Sequence, residues 1–352
     1  MRKRNSAIAG LFAVALLAAG PSYGVASATG GRVEVVVSNL DNPRGLTVWN
    51  GRLYVTQAGR GGTDCPAGAM GPEGGPLCVG LTGSLSVVDN GVAKPVLSGL
   101  FSMSDVPGGI ASLGIANVTG TKHGLEVLFS ESVAGVLTSL PKGATFTASD
   151  SAAARSQLGR LMRVHGNSTK TLADVGDEDF IWTAIHQDLV PDQFPDSNPN
   201  ALVVVGKTTY VADAGANTLV SVDKRGRVTE RAFFPNPPAA DAVPTCVAVG
   251  PDHNLYIGQL APGAPLNGGN IYKYDVWSHN LSVWKTGFNV VDGCGFDPAG
   301  NFYAVEFQSH GFNPGPTGNP AGDIVKIATD GTRTVLGAGQ LFFPQGFTMD
   351  PS

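Results

Sequence analysis

Apolar and polar residues alternate at period two through five stretches of this chain, each a pair of short strands joined by a tight turn. They are LTVWNGRLYVTQ (46–57), IANVTGTKHGLEVLFSE (115–131), LVVVGKTTYVAD (202–213), VAVGPDHNLYIGQ (247–259) and GFDPAGNFYAVE (295–306). Each is followed by a second alternating segment: GSLSVV (83–88), GRLMRV (159–164), NTLVSV (217–222), GNIYKY (269–274) and GDIVKI (322–327). An outer strand then follows in segments such as KPVLSGL (94–100), RVTERAFF (227–234), LSVWKTG (281–287) and TRTVLGAG (332–339). Alternation of this kind, punctuated by DNG, KRG and TDG turns, predicts half-buried strands. The exception is EDFIWTAIHQDLV (178–190), where apolar residues recur at helical spacing and predict a short helix lying across a loop surface.

Tyr54, Leu128, Tyr210, Tyr256 and Tyr303 occupy one column of the repeat, and the last two intervals are 46 and 47 residues. Four strands in about that length is the signature of a β-propeller blade. The segment RVEVVVSNL (32–40) has the look of an outer strand and FPQGFTMDPS (343–352) that of an inner one. The expectation is therefore an all-β, six-bladed β-propeller with an incomplete sixth blade closed by the N-terminal strand, its two middle strands missing. Closing the ring in this way would leave no long exposed edge.

The A-to-B turns are short. The connections at 58–82, 101–112, 132–158, 174–199, 260–268 and 307–321 are long and would emerge on one common face, where β-scaffolds carry their ligand sites. Gln57, Glu131, Asp213, Gln259 and Glu306 end their B strands on that face. Two uses are open to such side chains: oxygen ligands for a hard cation such as Ca²⁺ or for a polar ligand, or caps on the backbone N–H groups of an adjacent loop. Arg44, in NPRG, would stand at the channel mouth, facing an anion or paired with a carboxylate. His123, His186 and His310 lack the mutual spacing of a metal triad. The acidic run DVGDEDF (174–180) with Asp192 and Asp196 reads as a solvated face.

Residues 1–28 have a basic start, an apolar run from Ile8 to Ala19 and Ala26-Ser27-Ala28 before a cleavage point, the pattern of a secretory signal peptide. The run is too short to span a bilayer. Residues 29–352 would then form a single propeller domain. Cleavage removes Arg2, Lys3 and Arg4 and takes the net charge from −5 to −8, which argues against nucleic acid and anionic membranes as partners. Four cysteines in an exported chain allow three pairings. Cys65 with Cys78 would close a Gly/Pro-rich loop. Cys246 and Cys294 stand at equivalent places in neighbouring inner strands, either joined or packed as small buried thiols.

The chain contains no GxSxG elbow, HExxH, P-loop or dinucleotide fingerprint, so no catalytic residue is named. The segments LDNPRGLTV, TGSLSVVDNG, VLSGL and above all DSNPNAL (196–202) resemble the ScyD/ScyE family of exported, NHL-repeat-like bacterial propellers, over nearly all of the chain after the signal peptide. The resemblance implies a secreted six-bladed propeller without a settled activity. Of its motif residues only Ser197 and Asn198 carry over, because ASLGIANV replaces the family's polar approach to the second blade and Asn200 stands where a tyrosine is usual. Two functions follow: a module binding a small molecule, a polysaccharide or a protein through its loop-rich face, or a Ca²⁺-assisted, lactonase-like hydrolase.

Overall fold

In the computed structural model, residues 33–71, 75–105, 112–189, 195–236, 240–312 and 319–350 are described; the predicted signal peptide lies outside them. Five four-stranded antiparallel sheets follow one another along the chain. Blade 1 is β1 (Pro43–Trp49), β2 (Arg52–Gln57), β3 (Leu77–Asp89) and β4 (Val92–Asp105). Blade 2 is β5 (Ile115–Thr121), β6 (Gly124–Phe129), β7 (Arg160–His165) and β8 (Ser168–Asp174). Blade 3 is β9 (Pro199–Val205), β10 (Thr208–Asp213), β11 (Thr218–Val222) and β12 (Val228–Phe233). Blade 4 is β13 (Pro244–Val249), β14 (Leu255–Gln259), β15 (Gly269–Tyr274) and β16 (Leu281–Phe288), and blade 5 is β17 (Val291–Phe296), β18 (Phe302–Glu306), β19 (Ala321–Ile327) and β20 (Arg333–Phe342).

The turns explain why the hairpins close where they do. Asn50 and Gly51 have φ of 51° and 68°, and Asn90 and Gly91 have 49° and 77°. Two successive positive φ values give the primed turn that matches strand twist, and Asn-Gly adopts it with least strain. Apolar side chains on the blade faces then meet between neighbouring blades. Tyr54, Leu85, Val118 and Phe129 pack blade 1 on blade 2; Tyr210, Leu219, Ile257 and Tyr274 pack blade 3 on blade 4; Ile271, Phe288, Phe302 and Val325 pack blade 4 on blade 5.

The expectation of six blades is overturned: the propeller has five. The segment at 343–350 does run inside, between β17 and β1. Phe347 stacks on Tyr303 at 5.6 Å, and Thr348 Oγ1 accepts the Val48 N–H at 3.3 Å. Gly295 permits this approach, since a Cβ there would stand 2.5 Å from the Phe347 ring. Residues 33–40 pass outside, with Val35 82% exposed, and form no strand. A ladder needs a neighbour about 4.8 Å away, but Val33 and Val36 lie against Gly337 of β20 and Gly91 at the β3–β4 turn, whereas Gly346 and Phe347 lie against Gly293 and Gly295 of β17. Neither can pair with the other.

Both expected disulfides are present, Cys65–Cys78 with Cα atoms 4.2 Å apart and Cys246–Cys294 with Cα atoms 5.7 Å apart, the second joining β13 to β17. Two bridges agree with an oxidising, extracytoplasmic setting. The long connections are more ordered than their sequence suggests. Strands β3 and β4 extend past the blade, and α1 (Val133–Ser139) and α2 (Ala148–Gln157) build a satellite core of Leu77, Phe101, Phe146 and Leu158 with them. The expected helix is α3 (Val175–Ile185), starting three residues earlier than its apolar spacing and N-capped by Asp174, whose side chain accepts the Asp177 N–H. Among the described residues no helix is long and apolar enough to cross a membrane.

Candidate functional site

Each inner strand begins with a β-bulge. The register slips between Pro43 and Leu46, Ile115 and Asn117, Pro199 and Ala201, Pro244 and Cys246, and Val291 and Gly293. A bulge leaves one residue without a cross-strand partner and re-aims its side chain. Here those residues include Arg44, Ala116, Asn200, Thr245 and Asp292, a ring at the loop-rich end of the axis.

Hydrogen bonds run from blade to blade around this ring. Arg44 Nη2 donates to Asn200 Oδ1 at 3.1 Å and Nη1 to the Ser112 carbonyl at 3.2 Å. Asn200 Nδ2 donates to the Thr245 carbonyl at 2.7 Å, and the Thr245 hydroxyl to the Val291 carbonyl. Blade 2 supplies only Ala116, whose methyl leaves the guanidinium room to reach blade 3. Asp292 borders the axis half-buried; crowding by protein atoms pushes its carboxyl up to about 6, against the opposing pull of Arg44 and a hydrogen bond from Asn200. The buried Gln345 Oε1 and Asn198 Oδ1 have no hydrogen-bond partner.

The B-strand ends lie just outside the ring, and three of them cap the loop that leads into their own blade. Gln57 Oε1 accepts the Asp41 N–H at 2.8 Å, while its amide donates to Ser84 at 3.1 Å and Ser86 at 2.9 Å. Glu306 accepts the Asn289 N–H at 2.9 Å. Asp213 takes the Asn198, Gly215 and Ala216 N–H groups on Oδ1 at 2.7, 3.0 and 2.9 Å and the Ser197 hydroxyl on Oδ2 at 2.6 Å, so the DSNP motif is bound to the strand beside it. Gln259 is buried with an unpartnered Oε1. Glu131 stands two residues past β6 in a left-handed conformation, φ 61°. Its carboxyl is pushed well up by burial and then by the charges of Asp196 and Asp213, with Arg44 opposing.

Burial and then the Asp213 charge likewise push Asp196 up to about 6, although its side chain reaches solvent. Its exposed side chain fits the solvated face expected of it, whereas Asp179 of the same acidic run is buried, and Asp192 lies outside the described residues. Glu306 is pushed up to about 7, chiefly by burial and with help from Asp323 across the strand pair. Among the described residues no three His, Cys, Asp or Glu side chains converge as metal ligands. A cleft of about 360 Å³ lies on the opposite, tight-turn face, lined by Val249, Pro251, Phe296, Pro298 and Met349, with Asp297 at its edge.

Asn200, Asp292 and Asp179, the last buried on α3, escape sequence reasoning. A signal for the first was there: the residue after proline in NPR, NPN and VPT, and Asp292 at the same place in VVD, is the bulged one.

The sequence matches no family profile and no curated protein. Solved structures resemble it in fold. A gluconolactonase-like protein has a TM-score of 0.50 at 10% identity, covering 90% of this chain and 84% of its own. A gluconolactonase from Xanthomonas campestris has 0.49 at 10% identity over 90% and 82%. Virginiamycin B lyase from Staphylococcus aureus has 0.43 at 15% identity over 88% and 75%. At such identity the first of these speaks for the β-propeller fold alone.

Proposed function

We propose that this chain is an exported propeller of the ScyD/ScyE kind that works as a binding module, taking a polar small molecule, a polysaccharide or a partner protein at the axial mouth of its loop-rich face. The observation that carries this reading is the bulge at every inner strand, which gathers Arg44, Asn200 and Asp292 around one opening. Convergent polar groups on a rigid ring suit recognition. No nucleophile with an adjacent base stands among them.

Ca²⁺-assisted hydrolysis draws less support. Gln57, Asp213 and Glu306 already spend oxygens on loop N–H groups, and a guanidinium stands where a cation would enter. Thermal melts decide between the readings, because a ligand that prefers the folded state raises Tm. With a panel of neutral and acidic oligosaccharides and peptides, at least one probe should raise Tm in the wild type and lose that effect in Arg44→Ala. A large rise with CaCl₂, reversed by EDTA, would instead move the assignment to the metal-assisted enzyme.

A further inference from the structure

Helix α3 crosses the loop-rich face from blade 2 to blade 3 and is tied down there by an unusual contact. Asp179, on its buried face, and Asp213, at the end of β10, are both fully buried, and Thr218, which stands directly across the β10–β11 ladder from Asp213, donates its hydroxyl to Asp179, bringing the two carboxyl groups to one place. The two are not equivalent. Asp213 receives the four donors described above, which is the environment of an ionised carboxylate. Asp179 receives one, the Thr218 hydroxyl at 2.7 Å on Oδ2, and its Oδ1 has no N–H or hydroxyl partner. Two anions in contact within a dry site would repel strongly, and a carboxylate with a single donor is costly to bury.

We propose that α3 is latched to the propeller by a proton shared between Asp179 and Asp213, and that the loop-rich face loosens when that proton leaves. Asp179 carries the proton and donates to Asp213. Burial, then the Asp213 charge, push the Asp179 carboxyl well above the ordinary carboxylate range, with Thr218 opposing. The surrounding charges act in the same direction. Glu230 of β12 raises Asp179, and the Asp213 charge in turn raises Asp196 and Glu131, while Arg44 lowers Glu131. The charged ends of the helix are occupied elsewhere. Arg160 of β7 pairs with Asp174, and Asp177 accepts the Ala134 N–H of α1 at 2.9 Å. Glu178 lies on α3 beside them and His186 caps its end, with Nδ1 2.8 Å from the Trp182 carbonyl.

Because the folded state holds a proton that the unfolded or released helix gives up, the latch is closed below the ordinary aspartate range and fails as pH rises through the raised value. The test is hydrogen exchange of the full chain between pH 5 and 9, expressed as protection factors for the amides of α3. In the wild type, α3 protection should fall by about tenfold per pH unit across its transition, the slope for loss of one proton, while β14 stays protected. Asp179→Asn keeps a donor towards Asp213 and an acceptor for Thr218, so its α3 should stay protected throughout. Should that variant fold poorly, Thr218→Val serves: it removes the one donor that favours ionised Asp179 and should move the loss of protection to higher pH. PH-independent protection in the wild type, loss in Asp179→Asn at the wild-type pH, or an unmoved transition in Thr218→Val would each overturn the latch.

Discussion

The two faces of the propeller treat the same side chain in opposite ways. On the tight-turn face, Asp252 and Asp297 belong to repeated clusters. Asp252 accepts from the Lys273 ammonium at 2.6 Å, the Tyr256 hydroxyl at 3.1 Å and Asn254, and Asp297 from Asn301 at 2.7 Å and the Tyr303 hydroxyl at 3.0 Å. Burial raises both carboxyls, but these donors outweigh it, bringing Asp252 down to about 2 and lowering Asp297. On the loop-rich face, Glu131, Asp179, Asp196, Asp292 and Glu306 are all pushed up, chiefly by burial, to which neighbouring carboxylates add at all but Asp292, where Arg44 only partly offsets it. Donor-rich carboxylates staple a turn; donor-poor ones are the mark of a site that responds to its surroundings.

Removing Asp213 should break this contrast hardest. Asp213→Ala strands three N–H groups, that of Ala216 buried and those of Asn198 and Gly215 partly so, together with the buried Ser197 hydroxyl, and frees the DSNP loop, an expected cost of about 3–5 kcal/mol, read as a fall in Tm and in denaturant midpoint. A smaller effect is the pH dependence of stability. Glu306, raised from 4.5 to about 7, keeps its proton in the folded state, so its contribution is present below its ordinary value and is lost as pH rises through 7. Tm should be lower at pH 8 than at pH 5, and Glu306→Gln should shrink the difference; an unchanged difference would remove Glu306 from the account. Smallest is Asp252→Ala on the opposite face, about 1 kcal/mol, because its partners reach solvent once released. Asp252 sits below its ordinary value, so its contribution holds at neutral pH and fails only as pH falls towards 2.

The sequence by itself determined the strands. Period-two alternation and Asn-Gly turns act between neighbours in the chain, which is why the inner hairpins, the four outer strands such as β12 and β16, the short helix α3 and the local Cys65–Cys78 bridge were all legible. The repeat also placed Cys246 beside Cys294, since equivalent positions of adjacent blades converge. The number of blades was not legible, because 33–40 and 343–350 carry the pattern of strands, and only the ring decides whether a partner stands within ladder distance of either.

The site divides along the same line. Gln57, Glu131, Asp213, Gln259, Glu306 and Arg44 could be placed on one face from the repeat alone. Whether such a side chain is a cap, as Asp213 is to the DSNP loop, or lines an opening, as Asn200 and Asp292 do, depends on which donors other blades bring to it. Those donors are distant in sequence: the Thr218 hydroxyl meets Asp179 across 39 residues and Arg44 meets Asn200 across 156. Charge state and orientation at the mouth are sums over such long-range neighbours and over burial, so the tertiary structure alone decided them.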